Sequence, residues 1–121
     1  MKEKLPRVLK KREADITPKI KEWIKNNLGT CAVEIKITDT DTCPPSALKT
    51  HQKQALHTVK HGKLTHKIAD MGRRNVFDIF QLYKCPAYVI VHFSKHKITL
   101  VIDVDEWNGA RYDQEDYVYK F

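Results

Sequence analysis

The octapeptide CAVEIKIT, residues 31–38, carries Glu34 and Lys36 inside a run that otherwise reads as a buried strand. Side chains two apart on a strand point to the same face. The spacing therefore holds a carboxylate and an ammonium side by side against a core that should exclude both. A second acid, Asp78, interrupts the apolar run Val76-Phe77-Asp78-Ile79-Phe80. Alternation sets Val76, Asp78 and Phe80 on one face. Each charge is costly alone and less costly beside the others, so the two strands are expected to be neighbours, with Asp78, Glu34 and Lys36 converging. Two close carboxylates repel unless a cation lies between them. A hard divalent ion such as Mg2+ suits that set, because it takes few carboxylates, keeps several waters and leaves positions for phosphate oxygens.

Gln52 is the next candidate. A helix over 46–61, with Ser46 as cap and Gly62 as stop, turns Leu48, Ala55, Leu56 and Val59 inward. At helical spacing Gln52 falls within that stripe and His51 lies at its margin. A buried amide is costly unless hydrogen-bonded, so Gln52 needs a polar partner. A backbone partner would make its role purely structural.

Other elements must position these residues. A first helix takes Thr17 as cap and Pro18 in its first turn, with Ile20, Trp23, Ile24 and Leu28 as one apolar stripe and Gly29 as its end. The strand at 31–37 follows, then the loop TDTDTCPP, where Asp39 and Asp41 fit turn chemistry better than a ligand role. HKIAD (66–70) and NVFDIF (75–80) flank MGRR and read as a short hairpin. AYVIVHF (87–93) is the clearest core strand, and ITLVIDVDEW (98–107) follows a turn. The order of helix, strand, helix, hairpin and two strands predicts an α/β (α+β) fold, a single-domain mixed β-sheet flanked by helices. That domain is expected over 16–107, between a basic flexible arm (1–15) and a polar, tyrosine-rich tail (108–121) with no regular pattern.

Composition bounds the function. A chain of 121 residues, 41% of them hydrophobic, supports one core. No run approaches the about 18 apolar residues of a membrane span. The charged N-terminus lacks an apolar signal region, so a cytoplasmic location is expected, the host's if the chain is viral. Cys31, Cys43 and Cys85 are odd in number and match no C-x-x-C spacing, as expected of reduced thiols. The net charge of +7 and pI near 9.3 point to a polyanionic partner, of which nucleic acid is the commonest. Lys49, Lys53, Lys60 and Lys63, with Arg73 and Arg74 at the hairpin tip, are candidates to track a phosphate backbone, although ordinary solvated surface accounts for most of the lysines. Phosphate contacts carry no sequence information, so weakly specific or structure-selective recognition is expected.

VEIK, then a loop, then SALKTHQKQAL, AYVIVHF and TLVIDVDEW together resemble the Holliday junction resolvase branch of the PD-(D/E)XK nuclease superfamily, and within it the RecU-type resolvases. The resemblance spans roughly 31–107 and rests on the E-x-K strand, the Ser and His-Gln pair on the next helix, and the two apolar strands. It implies a restriction-endonuclease-like core in which Glu34 and the carbonyl of Ile35 bind metal, Lys36 positions or activates the attacking water, and Gln52 braces the site. The family places its Asp-bearing strand before E-x-K, and here only a helix precedes it. HKIADMGRRNVFDIF resembles that hairpin moved to a later place in the chain, with Asp78 as the metal-binding acid and Asp70 as its rival. Glu22 resembles a helical Glu that some members add, and a solvated role for it is equally open. The implied activity is Mg2+-dependent hydrolysis of branched or duplex DNA, with Mn2+ as a substitute, and symmetric resolution of a four-way junction implies a homodimer. Two other classes stay open. One is a non-catalytic nucleic-acid-binding module in which Glu34 and Lys36 merely bridge. The other is a zinc protein using His57, His61 and His66 with Cys43 and Cys85, whose spacings fit no familiar zinc pattern.

Overall fold

The computed structural model describes residues 13–68, 77–114 and 118–119. Helix α1 (Glu13–Asn27) leads into strand β1 (Ala32–Thr38), the short β2 (Thr42–Cys43), a 3-10 turn (Pro45–Ala47) and helix α2 (Thr50–His61). Strands β3 (Lys63–Lys67) and β4 (Ile79–Tyr83) form a hairpin. Then come β5 (Ala87–Phe93), β6 (Ile98–Asp103), a second 3-10 turn (Val104–Glu106), β7 (Ala110–Arg111) and β8 (Val118–Tyr119).

The main sheet runs β1-β5-β6-β8. Strand β1 is parallel to β5, from Ala32 opposite Ala87 to Thr38 opposite Phe93, and the other two pairings are antiparallel. The run AYVIVHF is almost uninterruptedly apolar because both of its faces are covered, which is where β-branched residues pack best. Ala87, Val89, Val91 and Phe93 join Leu100 and Ile102 in a core closed by Leu48, Leu56 and Trp107. On the opposite face, Ile90, Val101, Val33, Ile35 and Ile37 meet Ile16, Ile20, Trp23 and Ile24 of α1. The mixed sheet with a helix on each face is the α+β arrangement the pattern predicts.

Several boundaries differ, for identifiable reasons. Helix α1 begins at Glu13, so Thr17 is inside the helix instead of capping it, and Pro18 sits in its interior. Proline has no N–H to return to the preceding turn, and Thr17 Oγ1 is buried without a hydrogen-bond partner. Helix α2 starts at Thr50 with Lys49 as cap, while the expected cap, Ser46, lies in the 3-10 turn. Leu48 separates the two by turning extended (ψ 109°) to reach the core. Ala55 is exposed, so the buried stripe of α2 is narrower than expected. The polar tail contributes two strands: Ala110–Arg111 pairs with Thr42–Cys43, and Val118–Tyr119 is the fourth strand of the main sheet. Two-residue pairings carry no periodicity that a sequence could reveal. Gly109 makes the first possible. Its φ is +80°, and a Cβ there would lie 2.9 Å from the Cys43 carbonyl oxygen.

The hairpin is the main departure. Strands β3 and β4 form their own two-stranded sheet, shifted from the expected 66–70 and 75–80. Its base is tied to α2, with Lys84 N–H donating to the Gly62 carbonyl (2.8 Å) and Cys85 N–H to the Val59 carbonyl (3.0 Å). Strand β4 does not pair with β1, whose partner is β5, and the expected convergence of the Asp78 strand on Glu34 is not borne out. Asp78 is exposed, as are Phe77 (54%), Ile79 (54%), Phe80 (39%) and Tyr83 (59%). On a hairpin lying off the main sheet, the described apolar residues beside Asp78 stay exposed and do not bury the acid among them. Among the described residues, no helix is long and apolar enough to cross a membrane.

Candidate active site

Strand β1 has β5 as its sheet partner and forms one edge of the main sheet. Val33, Ile35 and Ile37 face α1, so alternation turns Glu34 and Lys36 to the face that α2 covers. The first turn of α2 lays Gln52 over the pair. Gln52 Nε2 donates to Glu34 Oε2 (3.0 Å), and Lys36 Nζ donates to Gln52 Oε1 (3.0 Å). Lys36 Nζ and Glu34 Oε2 are 3.5 Å apart, with the side chains 20% and 30% exposed, which closes a three-membered ring. Gln52 Oε1 also accepts from the Lys49 backbone N–H (3.1 Å), so the same amide caps α2. Chemistry fixes the orientation of this amide. Reversing it would press an NH2 against an ammonium and a backbone N–H while facing an oxygen to the carboxylate.

The remaining sequence candidates divide. Ile35 packs its side chain against α1, leaving only its carbonyl as a ligand atom. His51 is exposed beside Gln52, and Lys53 is exposed one turn on from the cap residue Lys49. Glu22 is not brought to the site. It accepts from Asn26 Nδ2 (3.3 Å) on α1, the helix on the opposite face of the sheet. Asp70, Arg73 and Arg74 lie outside the described residues. The zinc set does not assemble either: Cys43 is buried in the core under α2, His66 lies against Phe80 in the hairpin, and Cys85 bonds the Tyr83 carbonyl.

A second polar cluster, which the sequence reading missed, joins the C-terminal half of α2 to the turn after β6. Lys60 Nζ lies 2.6 Å from both Asp103 Oδ1 and Asp105 Oδ2. Asp103 Oδ1 also accepts from the Asp105 N–H (2.8 Å), capping that turn. His57 Nδ1 approaches Asp105 Oδ1 at 3.1 Å and His61 Nε2 at 3.0 Å, with the two rings stacked at 5.8 Å. Hydrogen bonds from Lys60, and then from His61, hold the Asp105 carboxyl at about 2, well below the usual 3.8. The hydrogen bonds that Lys60 donates, to Asp103 first and then to Asp105, push its ammonium up. Lys60 thus sits in an ion-pair network with Asp103 and Asp105. The usable signal was His57, Lys60 and His61 at i, i+3 and i+4 with an Asp-x-Asp at a strand end. Beside His57 opens a groove of about 900 Å³ walled by Pro45, Thr50, Lys53 and Trp107.

With this geometry in hand, comparison with known protein families, with curated proteins and with solved structures finds no match.

Proposed function

We propose that this chain is a metal-dependent endonuclease that cuts DNA phosphodiester bonds with structure-selective preference, in the manner of a Holliday junction resolvase. The observation that carries the reading is the closed Glu34–Gln52–Lys36 ring on an edge strand, an acid and a base fixed by one amide on rigid elements. Glu34 is partly exposed and offers a hard oxygen, the donor type that Mg2+ prefers. Glu34 and the Ile35 carbonyl would hold that ion, and Asp70, which lies outside the described residues, is the candidate for a further acid. A bound Mg2+ supplies polarisation of the scissile phosphate. Lys36 holds the attacking water or the negative charge developing on the phosphate oxygens. Gln52 positions both charged side chains.

The hairpin supports a polyanionic substrate. Exposed Lys63, Lys67 and Lys84 lie with exposed Tyr83 and Phe80, and Lys84 Nζ sits 5.4 Å from the Tyr83 ring centroid. Cations beside accessible rings suit a charged backbone with unstacked bases. A junction has two strands to cut symmetrically, so the acting form would be a homodimer.

The test is incubation of labelled four-way junction, duplex and single-stranded DNA with the protein in Mg2+, Mn2+ or chelator. Metal-dependent cutting of the junction is expected, abolished by Glu34→Gln and Lys36→Ala with binding retained. Asp70→Asn tests whether that acid completes the site, and Asp78→Asn, on the hairpin off the main sheet, is expected to cut like wild type. Cutting that survives Glu34→Gln overturns the proposal. Binding without cutting by wild type would favour the non-catalytic nucleic-acid-binding module, a reading that the mutual satisfaction of the three side chains also suits.

A further inference from the structure

The geometry points to a separate transition-metal site formed by His57, His61 and Asp105, taking one zinc-class divalent ion. One ligand atom from each residue lies within 4.8 Å of the other two, a grouping drawn from two elements distant in the chain. Ligands of a tetrahedral ion with bonds of about 2.0–2.1 Å sit roughly 3.3 Å apart, so closure needs only small side-chain rotations. Histidines at i, i+4 on a helix present both rings to one side, and these rings already stack against each other over the same carboxylate.

The chemistry of the set selects the ion. Two imidazoles and one carboxylate favour Zn2+, Co2+, Ni2+ or Cu2+ and are a poor match to Mg2+, which seeks oxygen. This is the opposite preference to that of Glu34, so the two sites would not compete for one ion. Lys60 lies close and would repel a cation, but Asp103 balances it. Asp105 meets Lys60 through Oδ2 while Oδ1 faces His57. Three protein ligands leave a fourth position for a water or small ligand, and His57 of the three also lines the neighbouring groove. The ion would fasten α2, which carries Gln52, to the turn after β6.

Untagged, metal-stripped protein is titrated with Co2+ in excess Mg2+ and followed by visible absorption. Uptake of one equivalent, displaced by Zn2+, is expected. His61→Gln and Asp105→Asn should each weaken it at least tenfold, while Glu34→Gln and His66→Ala leave it unchanged. His61 is exposed, so its substitution should leave the thermal melt of the metal-free protein close to wild type. Independently of any variant, Zn2+ should shift the NMR signals of the His57 and His61 rings and spare those of His51 and His66. Absent stoichiometric uptake by wild type, uptake indifferent to His61→Gln, or uptake lost with Glu34→Gln each overturns the site. Failure here leaves the nuclease reading untouched, because that reading is scored by Mg2+-dependent cutting.

Discussion

Gln52 fills a role that no other residue type at its position could fill. Its carbonyl oxygen takes donors from Lys36 and from the Lys49 backbone, while its NH2 reaches Glu34. A leucine of similar size would cost a carboxylate, an ammonium and a helix-terminal N–H one hydrogen bond each, leaving only the Glu34–Lys36 ion pair. Removing one member of a partly buried polar network costs the desolvation of those left behind. Gln52→Leu is therefore expected to lower stability by about 1–3 kcal/mol, read as a lower urea midpoint at unchanged slope. An unchanged midpoint would show that the ring is solvated and incidental. The need for a polar partner at Gln52 was legible in the sequence, because an amide at a core-facing helical position has few alternatives. Which partners it finds was half legible: Glu34 and Lys36 shared a face, but the cap role of Lys49 depended on Leu48 breaking the helix.

At the scale of elements, local patterning and non-local pairing separate cleanly. Strand β5 and the stripe of α1 were readable because periodicity and apolar content agree there. The position of the hairpin was not readable. Alternation can say that Val76, Asp78 and Phe80 share a face, but pairing between strands is a competition that alternation cannot decide, and β1 pairs with β5. Asp103 and Asp105 were hidden for a similar reason, since the strand expected to run to Trp107 ends at Asp103 and turns back on α2. Helix α1 retains a conflict between its two possible starts. Thr17 and Pro18 suit an N-terminus, yet the helix begins at Glu13 and leaves the threonine hydroxyl buried and unpaired. Thr17→Val keeps the shape and removes the orphan hydroxyl, so a gain of about 1 kcal/mol is expected, seen as a raised thermal midpoint. A loss would mean that the hydroxyl has a partner in solution.

Among the described residues, α1 screens one face of the sheet and α2 the other, so under the proposed function the β1 edge and the hairpin would be the approaches for DNA. With a net charge of +7, DNA affinity should fall steeply with salt. The slope should separate lysines that meet phosphate from those that do not. Lys63→Ala combined with Lys67→Ala is expected to reduce the magnitude of the slope by about 1 for each phosphate no longer neutralised. Lys60→Ala should leave it unchanged, because that ammonium is held by Asp103 and Asp105. Fluorescence anisotropy across a salt series reads both. An equal effect per charge removed in both variants would mean that the net charge, and no particular surface, captures DNA.

The parallel pairing of Ala32 with Ala87 has a consequence for how the protein is made. Everything up to the end of α2 emerges from the ribosome before the strand on which it lies. Until Phe93 has been synthesised, the apolar underside of α2 lacks the strand it covers, and α1 has only β1 to lie against. Nascent chains halted before that point should be sticky and chaperone-dependent, whereas those released after β6 should collapse promptly. Loop closure of this length also makes folding slow for so small a protein, and any cutting activity would arise late in translation.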